Sequence, residues 1–476
     1  MNTTHFPAHR WGLPFLSSIL TCATLIVVMV FADSQPVYAL PMNRALAIPA
    51  FARKYALPCS ACHTAWPELN SFGQAFRDNG YQLGNDHDSP IFQNSGYFPI
   101  TIRTTPNWHR ETFSNQPIDA VSGDPTTTTA GRVTQQGFDL SGMDIWLAGT
   151  LYKNISISVL PSSDANASFH FENAFFRFDN VKTRWLNIKV GKFELDNMIS
   201  EKRFLFLSAN GGLYQNYHFA PPGDSNNFGL GNNQIGLEFS GHSINSYTRY
   251  GVAVLSSNNG SSLLPDTRTY DTYLTFSQGF EAGRLGLQRL GGYAYVGRRP
   301  TYPLTGNGNA ISGAGLGSKP FYRVGFSGDL NAGKFEFLPL FMHGWDNVYL
   351  GTSTPANQAL PDGAQAPSWN GGFVETHYHF SPQLVFVQRD EIIRMSKQAL
   401  PTNPRNLGNI NAYTVGYRWY PIMFSRAGLA FDNEFSIVKT IGAAPLSGLG
   451  GAPFANLGPS APVWSTSAFI GLDFAF

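Results

Sequence analysis

Cys59-Ser60-Ala61-Cys62-His63 is the stretch of this 476-residue chain whose residue types and spacing prescribe a chemistry. Two thiols three positions apart can each form a thioether with a vinyl group of one porphyrin. The imidazole that follows is then placed to turn onto the iron, which is the arrangement of a c-type haem attachment site. A thioredoxin-like redox pair would want a βαβ unit, and no such pattern follows. A structural zinc site would want two more ligands, usually a second CxxC or a histidine pair, and the chain has no cysteine after Cys62. The expectation is therefore one covalently attached haem c, held by Cys59 and Cys62, with His63 as the proximal iron ligand. The sixth ligand separates electron transfer from chemistry at an open iron. His87 is the nearest candidate, His109 the next, and Met42 a third if the leader is cut early.

The residues after the motif read as the element that positions it. Pro67 suits a first helical position, Glu68 a helix start and Asn79-Gly80 a stop, which predicts a helix from Pro67 to Asn79. Leu69, Phe72 and Phe76 then share one face. Residues 48–95 are too few to own much of a core, so the haem is expected to supply it. A small α-helical c-type cytochrome domain over 48–95 follows.

From 97 to 476 the period changes to two. Tyr322, Val324 and Phe326 alternate with Arg323, Gly325 and Ser327, and Tyr413, Val415, Tyr417 and Trp419 alternate with Thr414, Gly416 and Arg418. One face is apolar with aromatics near the strand ends; the other is small or charged. A two-sheet sandwich also alternates, but aromatic girdles belong to a membrane barrel. The last strand, "WSTSAFIGLDFAF", ends on Phe476 and resembles the carboxy-terminal assembly signal of bacterial outer-membrane barrels. About sixteen strands can be counted, with first residues near 98, 139, 154, 168 and 185 in the early part. Short turns alternate with long Gly/Asn/Ser/Pro-rich connections such as 106–138, 196–231 and 345–368. The alternation is strict from 196 onward and imperfect before it. The fold class expected is an all-β transmembrane barrel of about sixteen antiparallel strands. Arg249, Arg323, Glu336, Arg389, Arg418 and Asp432 are among the residues expected to face its lumen.

Charged residues make up only 13% of the chain, against about a quarter in an ordinary soluble domain. The formal net charge of +1 gives no reason to expect a nucleic-acid partner. Leu13 to Phe31 is the one long apolar run, and Val37-Tyr38-Ala39 and Ala45-Leu46-Ala47 follow it. This reads as a secretory signal peptide over 1–39, with cleavage as late as 47; the alternative is a membrane anchor. Cys22 lies within the apolar run and is expected to leave with the signal, so the exported chain keeps only the haem pair, which suits a bacterial envelope protein. No hydrolase triad, phosphate loop or metal-hydrolase spacing is present in the sequence.

"IPAFARKYALPCSACHTAWPELNSFGQAFRDNGYQ", Ile48 to Gln82, resembles the start of the outer-membrane cytochrome–porin fusion family associated with extracellular iron(II) oxidation. The likeness rests on the Ala-Arg before the haem cysteines, the Pro and Leu after them, and the Phe-Gly, Phe and Gly-Tyr that follow. Over the barrel it is one of length, strand number and domain order. The resemblance implies that Cys59 and Cys62 carry the haem and that His63 ligates it. It also implies that electrons pass from an extracellular donor, ferrous iron, to a soluble periplasmic carrier. Outer-membrane lipid would surround the barrel, with both termini in the periplasm. The residues alone leave two alternatives: a diffusion porin whose haem segment is a plug or docking module, and a haem enzyme with an open iron site.

Overall fold

In the structure, a computed structural model, the described residues are 49–55, 57–83, 100–118, 125–163, 169–196, 205, 233–256, 270–300, 318–345, 366, 368–397, 409–423, 427–441 and 463–476. The signal peptide, Met42 and His87 lie outside them. Sixteen antiparallel strands form a closed barrel, from β3 (Ile100–Ile118) to β18 (Val463–Ala475), each paired with its neighbours in the chain. Closure is between last and first: Ser465 lies opposite Phe113 and Ala475 opposite Arg103. Phe476 and Ile102 exchange two backbone hydrogen bonds of 2.9 Å at the rim where both ends meet.

The period-two pattern sorts the two faces as expected. Phe276, Tyr322, Val324, Phe326, Val415 and Trp419 are exposed on the outside, whereas Arg323, Arg389, Arg418 and Asp432 are buried on the inside. In a closed barrel, every strand has its backbone groups paired and its apolar side chains outward, which is the form that lipid accepts. The described chain is a transmembrane β-barrel.

Two expectations need correction. The second barrel strand is β4 (Pro125–Tyr152), so most of 106–138 is paired strand rather than loop. Residues 132–140 of it are mostly exposed whichever way they point, so the inside-outside alternation that reveals a strand is missing there. With this strand restored, the connections fall alternately on two rims, although 119–124 and 164–168 on the second rim are shorter than 179–186 on the first. One rim carries 153–154, 179–186, 243–247, 282–286, 333–334, 382–383 and 424–427; the other carries 119–124, 164–168, 195–232, 257–269, 301–317, 346–367, 398–408 and 442–462. The inner face is also less polar than its sequence pattern suggests. Toward the rim of long connections, Phe193, Leu255, Tyr295, Phe321, Met342 and Trp369 are buried in one apolar cluster on the lumen side.

Candidate haem site and its seat in the barrel

Three short helices and one hairpin precede the barrel among the described residues. They are α1 (Pro49–Tyr55), α2 (Cys59–Cys62), the strands β1 (His63–Ala65) and β2 (Glu68–Leu69), and α3 (Ser71–Asp78). The helix expected from Pro67 thus starts later. The chain reverses at Trp66-Pro67, and Asn70 is the cap: its side-chain oxygen accepts from the Gly73 amide at 2.9 Å. The same side chain donates to the Ser60 and Ala61 carbonyls, each at 3.2 Å, so one residue clamps the CxxC turn to α3. Gly73 permits the contact, because a Cβ there would sit 2.1 Å from the Cys62 carbonyl oxygen. The apolar stripe is split as well. Phe76 is buried among Phe51, Tyr55 and Tyr81, whereas Phe72 is 44% exposed.

Cys59 and Cys62 share one helical turn, the first buried and the second half-buried. His63 Nδ1 lies 3.2 Å from the carbonyl oxygens of both Pro67 and Glu68. Carbonyls only accept, so these partners assign the hydrogen to Nδ1 and leave the Nε2 lone pair for a metal. Burial pushes the imidazole down to about 4, keeping it in the neutral form that can ligate iron. Backbone acceptors of this kind orient a ligating histidine and raise its basicity. The residues present fit a c-type haem.

Inner-wall side chains hold this segment in place. Arg249 on β9 (Thr248–Ser256) donates to both Asp78 carboxylate oxygens, at 2.8 and 3.0 Å. Arg177 on β6 (Phe169–Phe178) donates to the Arg77 carbonyl at 2.7 Å, at the end of α3 where carbonyls lack partners. Thr150 and the Lys153 carbonyl bond Gly80 and Gln82. On the far wall the guanidinium carbons of Arg103 and Arg418 lie 5.1 and 5.3 Å from the Trp66 ring centre. Tyr420 donates to the Trp66 carbonyl. Lys153, Arg177, Arg249 and Tyr420 all lie near the short-turn ends of their strands. Residues 49–83 therefore pack against the inner wall near that rim.

Leu205 is fully buried in one cluster with Ala65, Val385 and Tyr420, and its carbonyl accepts from Arg418 Nη1 at 3.1 Å. Sixteen antiparallel strands closed first to last leave a bore of the size found in porins. The barrel is porin-like. No protein-family model matches the chain, and no curated protein does. Among solved structures it is similar to the outer membrane channel DcaP of Acinetobacter baumannii, at 10% identity over 79% of this chain and 97% of that one, with a TM-score of 0.49. It is also similar to OprB of Pseudomonas putida, at 10% identity over 79% and 94%, with a TM-score of 0.44. OmpF of Salmonella typhi, solved with daunomycin, gives 10% identity over 79% and 97%, with a TM-score of 0.42. The description of the barrel stands on its own strand pairing.

Of the sixth-ligand candidates, His109 is described. It lies on β3 with Nδ1 3.3 Å from Asn107 Oδ1. The sequence reading missed the clamp at Asn70, the two guanidinium groups beside Trp66 and the wall partners of Asp78. It also missed "ETHYH", which puts Glu375, His377 and His379 at period two on one face of β14 (Ser368–Ser381). The same period that located the strands would have shown that triplet. His377 and Glu375 are fully buried, and His377 Nδ1 is 3.1 Å from Glu68 of the haem segment.

Proposed function

We propose that this chain is a bacterial outer-membrane cytochrome–porin that passes electrons from an extracellular donor, ferrous iron, to a soluble periplasmic carrier. The observation that carries the reading is His63, its Nδ1 held by two backbone carbonyls beside the two thiols, in a segment fastened to the inside of the barrel. A c-type haem bound there supplies one-electron iron chemistry. Cys59 and Cys62 fasten it covalently, and His63 presents Nε2 to the iron. Residues 48–95 are the plug in this reading, and Arg249, Arg177 and Tyr420 hold its described part through Asp78, Arg77 and Trp66. Each ferrous ion gives up one electron outside and leaves as ferric iron, and that electron is taken up by the periplasmic carrier. Passage through a protein-lined bore avoids moving charge through hydrocarbon. The buried apolar lining toward the long-connection rim suits this better than a uniformly water-filled pore. Both termini are assigned to the periplasm, because short turns mark that side of an outer-membrane barrel.

A second reading, a diffusion porin whose haem segment serves as a plug or docking module, rests on strand number, since sixteen strands can enclose an aqueous channel. One preparation distinguishes the two. The detergent-solubilised protein should show a reduced-haem spectrum after ferrous salt is added and low conductance in planar bilayers. An unchanged spectrum with high conductance would replace the first reading with the second.

A further inference from the structure

Four metal-ligating side chains outside the haem motif converge where the haem segment meets the wall. Glu336 on β13 (Phe335–Trp345) and His377 on β14 are directly paired across the sheet and face inward. Glu68 comes from the hairpin after the haem motif, and His379 lies two residues beyond His377. One donor atom from each of the four lies within 4.8 Å of every other.

The nitrogen geometry is what points to a cation. His377 Nε2 is 2.7 Å from Glu375 Oε1, and Arg389 holds the other oxygen of Glu375 at 3.1 Å. If Nε2 carries the hydrogen, Nδ1 is a bare lone pair. Yet Nδ1 faces two carboxylate oxygens, Glu336 at 2.9 Å and Glu68 at 3.1 Å. A lone pair facing two anionic oxygens is repulsive unless a positive charge sits among them. His379 Nε2 points to the same place, 3.7 Å from Glu336, buried and without a hydrogen-bond partner. A carboxylate behind a histidine, fixing its tautomer so that the other nitrogen meets a metal, is the usual support of a metal-bound imidazole. Charge agrees: three buried carboxylates, one offset by Arg389, leave two negative charges for a divalent ion to neutralise.

We propose that Glu68, Glu336, His377 and His379 bind one divalent first-row transition-metal ion that ties the haem segment to the barrel wall. Two imidazole nitrogens with two carboxylate oxygens suit zinc or ferrous ions and exclude a preference for calcium or magnesium. The site uses none of the haem ligands and does not depend on the electron-transfer reading. Glu68 links the two places, because its carbonyl receives His63 and its carboxylate enters the cluster.

The test uses the full-length protein in detergent, treated with chelator, reloaded with zinc(II), dialysed and assayed for zinc, which haem iron cannot mimic. One zinc per chain is expected, with an X-ray absorption edge showing nitrogen and oxygen donors at about 2.0–2.2 Å. Glu336→Gln and His379→Gln should lose it, and Glu375→Gln should weaken binding by about 10–100-fold. Glu68→Gln lies off the barrel strands, so its loss of zinc cannot be ascribed to a failed barrel. No retained zinc in the unaltered protein would overturn the proposal and leave His377 as a protonated clamp among carboxylates. Equal zinc in Glu68→Gln and His379→Gln would overturn it by placing the ion elsewhere.

Discussion

Asp78, at the end of the helix that follows the haem motif, and Arg249, on the inner wall, meet through a two-point charged hydrogen bond, both side chains buried. A fork of this kind fixes orientation as well as distance. Arg249 also donates to Asp196, whose other oxygen lies 3.7 Å from Arg77. Two residues of the segment thus join one wall network.

Removing one partner of a buried pair leaves an uncompensated charge and costs about 3–5 kcal/mol. Arg249→Gln takes the charged partner from Asp78 and leaves Asp196 with Arg77, so it should loosen the segment while the strand ladder persists. The expected result is higher planar-bilayer conductance and faster proteolysis within 49–83, from a barrel that still shows heat-modifiable migration on gels. Conductance and proteolysis that match the unaltered protein would count against this seat.

Acid should act on the same contact. Burial is the largest influence on the Asp78 carboxyl and works with Asp196 to raise it, but Arg249, His242 and the Ser246 hydroxyl together lower it, and the group stays below its ordinary 3.8. A carboxyl depressed by folding contributes stability above its unfolded value and loses it as pH falls through the lower folded value. Protease protection of the segment should be flat from neutral pH down to about that ordinary value and decline below it. In Asp78→Asn the decline should shrink; an undiminished decline would assign it to another group.

Haem attachment offers the most direct readout. Cys59→Ala or Cys62→Ala should remove most of the peroxidase stain from a denaturing gel at the mature mass. Gly73→Ala forces a Cβ into the Cys62 carbonyl and should lower haem content without unfolding the barrel. Full stain in the double cysteine variant would sink the assignment.

Orientation can be read on intact cells. An epitope tag placed between 346 and 367 should be labelled from outside, whereas one at 282–286 should not. Reversed labelling would place the short turns, and with them both chain ends, at the cell surface.

The motif on which the haem proposal rests, the strand rhythm and the inward charges are all local features of the chain. Cys59, Cys62 and His63 are adjacent, and a strand exposes its alternation over a few residues. The second strand escaped because 132–140 is exposed on both faces and so carries no apolar beat. The helix start was misplaced because Pro67 suits a turn as well as a first helical position, and Asn70 proved the better cap. His87 was named on proximity alone and lies outside the described residues.

What the sequence by itself determined is therefore what neighbours in the chain decide: a haem attachment motif, strands of period two and the count that closes them. Only the tertiary structure decided which wall residues meet the haem segment. Asp78 and Arg249 are 171 positions apart, and Glu68 and His377 are 309 apart. No spacing rule spans such distances. Barrel closure brings these side chains to one rim, and burial away from water obliges each charge there to find a partner.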